Sequence, residues 1–314
     1  MRAVVIKEYG GPEVLEVVDV NELTIERAHR RITVTRAGVN FADLHVRSGD
    51  YLADVPLPYT PGNEVAGVLD SGERVVALTR GGGYAEVAQA RRSTTFAIPD
   101  GVDDETALAL TLQGNSAWHL LHTVIRIQQG ETVIVPAAAG GVGSLAVQLA
   151  KRAGARVVAM AGTKAKREFA RSIGADVVVD SSSPTLAAAL REAANGGAQA
   201  ALEMTGGATF QATLKALAPL GRLAVYGRVG SEEGHVDTRD LMGMGLSVTG
   251  FWLPLLYTQR DAMRNSMQDL FAAVIAGEIT VPAPTVYPLS DVAQAHRDIA
   301  ARRTTGKVAL DPKE

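Results

Sequence analysis

The chain has 314 residues, enough for about two domains at roughly 150 residues each, and its 46% hydrophobic and 21% charged content excludes a disordered or fibrous protein. With 31 Lys and Arg against 34 Asp and Glu, the net charge of −3 offers no general attraction to nucleic acid or to an acidic membrane. There are no cysteines, which excludes disulfides, thiolate chemistry and a Cys-ligated zinc site and fits a reducing cytosol.

The opening MRAVVIKEYGG carries Arg2, Lys7 and Glu8 and no apolar core, so no signal peptide is expected. Up to about residue 115, strand-like runs (AVVIKEY, VLEVVDV, RITVTRAGV, EVAGVL, RVVAL, YAEVAQA) are punctuated by Gly and Pro, which predicts an antiparallel barrel or sandwich. One helical patch fits Phe41–Arg47. From about residue 130 the pattern changes. β-Branched runs at Thr132–Pro136, Arg156–Ala161, Asp176–Asp180, Ala200–Thr205, Arg222–Tyr226 and Ser247–Trp252 alternate with helical spacing, as in Val142, Leu145, Ala146, Leu149, Ala150 and Ala153. Helical stretches also fit Lys164–Ile173, Pro184–Ala194 and Ala208–Leu217. Apolar strands alternating with helices predict a doubly wound parallel sheet of order 3-2-1-4-5-6. From about Leu255 the character is mixed, with a helix over Val292, Ala295, His296 and Ile299 and a strand at Lys307–Leu310 that should rejoin the N-terminal domain. The expected domains are therefore 1–115 with 256–314, and 116–255. Thr132–Ala150 and Leu241–Gln259 each run 19 residues without a charge, but glycines and a proline break both, so each reads as a buried strand and turn and no membrane span is expected.

The sharpest motif is AAAGGVG, Ala137–Gly143, directly after the strand TVIVP and opening a helix. In the G-x-G-x-x-G frame Ala138 replaces the first glycine, while Gly140 lets a pyrophosphate approach the backbone and Gly143 permits close helix packing. The helix N-terminus would aim its N–H groups and dipole at the phosphates. The second strand indicates which dinucleotide. It ends at Ala161-Gly162-Thr163 without the acid that an NAD site places against the ribose, and Lys151 to Arg171 holds seven basic residues and one acidic one. A 2′-phosphate would be attracted there, so the cofactor expected is NADPH. No G-x-S-x-G or Walker motif occurs, the six histidines are scattered apart from a weak His119/His122 pair, and His296 reads as a core histidine. No metal site is expected.

AGVNFADLHVRSGDY (Ala37–Tyr51), PGNEVAGVL (Pro61–Leu69), AAAGGVG, GTKAK (Gly162–Lys166) and AHRDIAARRTTGKVAL (Ala295–Leu310) span nearly the whole length. In order and spacing they resemble the zinc-independent medium-chain dehydrogenases/reductases of the zeta-crystallin type. Zinc-dependent relatives would place a cysteine near Asn40 and a His-Glu pair at 63–64, where this chain has Asn63-Glu64. The resemblance implies a GroES-like β-barrel catalytic domain, a Rossmann cofactor domain and an active site in the cleft between them. It implies NADPH-dependent reduction of quinones or of activated C=C bonds. Asn40 and Tyr51 should line the cleft as the catalytic donors, with Ser116 near the nicotinamide end. Ala138, Gly140, Gly141, Val142 and Gly143 should hold the pyrophosphate, and Gly162, Thr163 and Lys166 the 2′-phosphate. Thr205–Gly206, Tyr226–Gly227–Arg228 and Phe251–Trp252–Leu253 should border the cofactor, and Lys307 should reach back to it. One departure is the short passage Leu69-Asp70-Ser71-Gly72-Glu73-Arg74, which trims a hairpin.

Two alternatives stand beside this reading. Gly250–Leu253 (GFWL) also resembles enoyl-thioester reductases of the same superfamily, and a cofactor-binding interaction protein with little turnover is the rival from another class. The acidity outside Lys151–Arg171 argues against nucleic-acid binding. Finally, Ser247–Trp252 should be an uncharged edge strand, and an apolar edge with unpaired backbone groups predicts a homodimer joined sheet to sheet.

Overall fold

A computed structural model describes residues 1–314. The chain divides into two compact units. One comprises Met1–Leu112, Leu256–Ala276 and Val281–Glu314; the other comprises Gln113–Leu255 and Gly277–Thr280.

The first unit is built on a seven-stranded sheet whose centre is the strand His29–Val39. That strand pairs antiparallel with Glu64–Leu69, Val87–Arg91 and Val308–Asp311, so the C-terminal strand does rejoin the N-terminal sheet. Thr285–Pro288 adds in parallel at one end, and Arg74–Leu78 and Thr95–Ala97 follow at the other. Arg2–Val5 and Glu16–Asp19 form a separate two-stranded ribbon. The shortened passage after Gly67 is a tight hairpin: Leu69 N–H donates to the Glu73 carbonyl at 2.9 Å, and Gly72 takes φ +86°. Inward residues of the sheet (Ile32, Val34, Val65, Val75) pack with Leu289, Val292 and Ala295 of the closing segment. The helix Phe41–Ser48 starts where Asn40 N–H donates to the Asp43 carboxylate at 2.8 Å, one half of a capping box. It stops at Gly49, whose φ of +74° suits a residue without a side chain.

The second unit is a six-stranded, all-parallel sheet. Its order is Val177–Asp180, Arg156–Ala161, Thr132–Val135, Ala198–Glu203, Leu217–Val225, Ser247–Gly250, which is the expected 3-2-1-4-5-6. Helices Gly141–Arg152, Lys164–Ser172, Leu186–Ala193 and Gly207–Lys215 connect the strands. Gly277–Thr280 belongs here because Gln148 grips it: its Nε2 donates to Thr280 O (2.9 Å) and its Oε1 accepts from Thr280 N (2.8 Å). Arg152 adds an ion pair to Glu278 at 2.6 Å.

Three elements differ from expectation. The charge-free stretch from Leu241 opens in a helix, Thr238–Met244, capped by Asp237 and ended by Gly245 in the left-handed region. The fifth strand starts at Leu217, five residues before the expected Arg222. Arg260–Ile275 is a 16-residue helix burying Met263, Met267, Leu270 and Phe271.

Candidate active site

The glycine turn of the second unit separates its residues by role. Ala137 leaves the strand Thr132–Val135 at φ +44°, Gly140 is extended as the N-cap, and the helix begins at Gly141. A Cβ on Gly143 would lie 2.3 Å from the Ala137 carbonyl oxygen, so this glycine is needed for helix-to-turn packing. A Cβ on Gly141 would lie 2.1 Å from the Gln113 carboxamide, which lies across the start of the helix. A Cβ on Gly140 would meet, apart from its chain neighbours, only the Ala137 oxygen, at 3.2 Å. Gly140 therefore keeps the open approach that a pyrophosphate needs, while Gly141 and Gly143 are used by the protein itself. Ala138 is fully buried and donates its N–H to Met160 O at 3.0 Å, so it braces the turn and offers a ligand no surface.

At the end of the next strand, Gly162 and Thr163 are exposed and Lys166 is half-buried. Thr163 caps the helix Lys164–Ser172, its hydroxyl accepting from Lys166 N–H at 3.3 Å. Lys164 faces Glu168 at 3.8 Å on the outer surface. Arg167, one of the seven basic residues of Lys151–Arg171, donates to Gly162 O at 2.8 Å and to Asp180 at 2.7 Å.

The later strand ends are organised by a buried acid. Glu203, 1% exposed, accepts from Thr205 N (3.0 Å) and Gly206 N (3.1 Å), so these two N–H groups serve the turn. Burial raises its pKa against the pull of those bonds. A charge inside the apolar run AALEMT was the signal that could have revealed it. Tyr226 continues from Val225 with its N–H on Glu203 O, and Gly227 and Arg228 follow. Phe251 packs 6.4 Å, centroid to centroid, from His119, whose pKa burial lowers to about 4. Trp252 is half-buried and Leu253 buried beyond it. Ser116 is buried on Asn115–His119, with π-helical turns on either side at Leu110–Gly114 and Leu120–Val124.

In the first unit a buried polar chain gathers Asn40 with residues from five other places in the sequence. Glu64 and the Lys307 ammonium form an ion pair in which neither side chain is exposed. Asn40 Nδ2 donates to the same Glu64 oxygen (2.7 Å), its Oδ1 accepts from Lys307 (3.3 Å), and the other Glu64 oxygen accepts from Leu112 N–H (2.8 Å). Asp43 accepts from Asn63 Nδ2 (2.8 Å) and from the Tyr84 hydroxyl (3.0 Å), which also contacts His296 Nε2 (3.2 Å). Burial pushes the Asp43 carboxyl up to about 6 and the His296 imidazole down to about 3. His296 is thus the core histidine that its apolar stripe suggested. Lys307, expected to reach the cofactor, is instead held by Glu64 and Asn40, because an ammonium buried this deeply needs an anion beside it. Asn40, expected as a catalytic donor, uses its carboxamide to hold that pair.

Tyr51 keeps different company. Like Tyr59, it packs against the core of the sheet, and its proximity adds to the upward push on the Tyr59 and Tyr257 hydroxyls. The Tyr59 hydroxyl fills the space beside Gly81, and Arg80 stacks over the Tyr257 ring at 5.8 Å. Burial raises the pKa of both Tyr59 and Tyr257, keeping these hydroxyls protonated as donors. Arg80, Tyr59 and Tyr257 gave no motif in the sequence.

Residues 27–100 match the alcohol dehydrogenase GroES-like domain, and residues 141–272 match the zinc-binding dehydrogenase family. The rat quinone oxidoreductase is 32% identical over 312 residues, covering 95% of this chain and 94% of that protein. The chain belongs to the quinone oxidoreductase family of medium-chain dehydrogenases/reductases. The Pseudomonas aeruginosa quinone oxidoreductase is likewise 32% identical, over 97% of both chains. The solved structure of the Escherichia coli quinone oxidoreductase complexed with NADPH superposes with a TM-score of 0.94 at 28% identity, covering 99% of this chain and 100% of that one. A mycobacterial protein complexed with NADPH gives the same TM-score and coverage at 34% identity.

Zinc, which the family description names, does not fit this member. No group of three or more His, Cys, Asp or Glu side chains is placed to hold a metal ion. At Asn40, Asn63 and Glu64 the one carboxylate bonded by Asn40 is already paired with the Lys307 ammonium, whose charge would repel a cation there. A dinucleotide does fit. The open approach at Gly140 has the shape a pyrophosphate requires, and Gly162 is similarly uncrowded, with only the Ser181 hydroxyl 3.4 Å from where its Cβ would stand.

Proposed function

We propose that this quinone oxidoreductase family member is an NADPH-dependent enzyme that works without zinc and reduces a quinone or the activated C=C bond of an enone or enal. The observation that carries the reading is the end-to-end similarity to quinone oxidoreductases, at about a third identity, together with neighbours solved with NADPH. When bound, NADPH supplies a hydride; the protein positions the reactants and stabilises charge. Gly140 and the N-terminus of Gly141–Arg152 would hold the pyrophosphate, and Gly162, Thr163 and Lys166 the 2′-phosphate. Ser116, Val142, Tyr226, Arg228 and Phe251 to Leu253 would border the rest of the dinucleotide. Tyr51 would donate to the acceptor oxygen as negative charge develops there, and would return a proton to it directly or through water. Asn40 keeps its place in this reading as a positioning residue of the same unit.

The test is NADPH oxidation with a panel of simple quinones, enones, enals and crotonyl thioester, with NADH as control. Turnover of quinones or enones with NADPH preferred supports the reading. Faster turnover of the thioester reassigns the substrate to the enoyl-thioester class, and binding of NADPH without turnover of any acceptor overturns the proposal.

The cysteine-free composition supports a cytoplasmic setting, and no helix is long and apolar enough to cross a membrane. Ser247–Gly250 lies at the edge of the parallel sheet and carries no charge. That supports a homodimer of 32.9 kDa chains joined through this edge. Light scattering at micromolar concentration should give the dimer mass; a monomer would refute it.

A further inference from the structure

Asp180 presents a difficulty for the cofactor site. It ends the strand Val177–Asp180 in register with Ala161, the residue before Gly162. Ser181, which follows it, brings its hydroxyl to 3.4 Å from where a Cβ on Gly162 would stand. An acid is therefore placed at the end of the dinucleotide site where a dianionic 2′-phosphate is expected. In sites for the unphosphorylated dinucleotide the acid that accepts from the ribose hydroxyl follows the second strand; Asp180 stands on the adjacent third strand, at the same end of the sheet. A carboxylate left to itself here would favour NADH.

It is not left to itself. Arg167 Nη1 donates to Asp180 Oδ2 at 2.7 Å and to the Gly162 carbonyl at 2.8 Å, so the guanidinium bridges the two strand ends. The other Asp180 oxygen accepts from Ser182 N–H (2.9 Å) and from the Ser182 hydroxyl (2.6 Å). Both carboxylate oxygens are engaged and the charge is matched by a guanidinium, the side chain best suited to such fixed geometry.

We propose that Arg167 is a specificity-determining residue, which sets the preference for NADPH by neutralising and tying back Asp180. This rests on reading Gly162–Lys166 as the 2′-phosphate end. Lys166 and Thr163 attract the phosphate, and Arg167 cancels the acid that would repel it. The pair spans a half-exposed surface, with side chains 23% and 39% accessible, so the effect is screened by salt.

The experiment measures dissociation constants for NADPH and NADH by fluorescence at low and high ionic strength. It compares the wild type with Arg167→Met, Asp180→Asn and the double variant. Freeing one charge against a doubly charged phosphate should weaken NADPH about tenfold at low salt in Arg167→Met, with NADH unchanged or tighter. Asp180→Asn should bind NADPH at least as tightly as the wild type. The double variant should recover most of the lost NADPH affinity. Equal weakening of both cofactors in Arg167→Met would show a structural role and overturn the proposal. Loss confined to NADPH without recovery in the double variant would show that Arg167 touches the phosphate itself, which also overturns it. A wild type with no preference for NADPH would instead remove the 2′-phosphate reading on which the proposal stands.

Discussion

Lys307→Met is expected to be among the most damaging single substitutions in the first unit. Its ammonium and the Glu64 carboxylate are both wholly buried, and Glu64 would be left with only the N–H donors of Asn40 and Leu112. A charge stranded in this way costs about 3–5 kcal/mol. At roughly 2–4 °C per kcal/mol for domains of about 150–250 residues, calorimetry should show the unfolding midpoint falling by about 6–20 °C. Adding Glu64→Gln to Lys307→Met replaces the stranded carboxylate by a neutral amide that can still accept from Leu112 and face Asn40. The double variant should then be more stable than Lys307→Met alone, with a coupling energy above about 1 kcal/mol in the double-mutant cycle. The reasoning fails if Lys307→Met unfolds within about 1 kcal/mol of the wild type, or if the two substitutions simply add.

Lys166→Ala should weaken NADPH by roughly 10- to 150-fold, the value of one charged hydrogen bond, while leaving NADH almost unchanged; equal weakening of both cofactors would refute the assignment. Tyr51→Phe should lower kcat for a quinone by about a hundredfold with NADPH affinity intact, and a loss within about threefold would mean that Tyr51 only packs. His296 has a folded pKa of about 3, below its unfolded value of about 6.5, so it contributes stability above pH 6.5 that is lost as the pH falls toward 3. Asp43, raised to about 6, acts in the opposite sense between pH 3.8 and 6. Relative to His296→Gln, which cannot titrate, the wild type should lose its stability advantage progressively as the pH drops from about 6.5 to 4. An advantage that stays constant across that range would contradict the buried neutral imidazole.

The parallel sheet was legible because its first three strands are short β-branched runs and the helix Gly141–Arg152 between two of them carries a local apolar stripe. Arg156–Ala161 has the same bounds in sequence and structure. What escaped had weak local signals. Thr238–Met244 buries no side chain, so it carries no apolar stripe. In Arg260–Ile275 the stripe Met263, Met267, Leu270, Phe271 is present, but a buried Ser266 and flanking polar residues dilute it. Leu217–Val225 contains Pro219 and Gly221, which read as breakers, and it crosses an irregularity in the ladder opposite Ala198–Ala200. The glycine turn was readable as a motif, yet the division of labour within it was not. Only the positions of Gln113 and Ala137 show that Gly141 and Gly143 are needed by the protein's own packing while Gly140 is left uncrowded. The Glu64–Lys307 pair joins residues 243 apart in sequence, and no local pattern can announce a contact of that kind.

That pair also narrows the chemistry. Where zinc-dependent relatives would place a cysteine and a His-Glu pair, this chain has Asn40, Asn63 and Glu64, and an ammonium supplies the positive charge that Glu64 requires. A lysine ammonium wholly buried against Glu64 and Asn40 is not exposed to polarise a substrate carbonyl. An isolated alcohol or ketone, whose charge localises on one oxygen during hydride transfer, would be poorly served by such a site. A quinone or an enone spreads that charge through a conjugated system, which a neutral hydrogen-bond donor can stabilise. A buried ion pair at these positions, taken with the resemblance that marks them, therefore argues for conjugated acceptors.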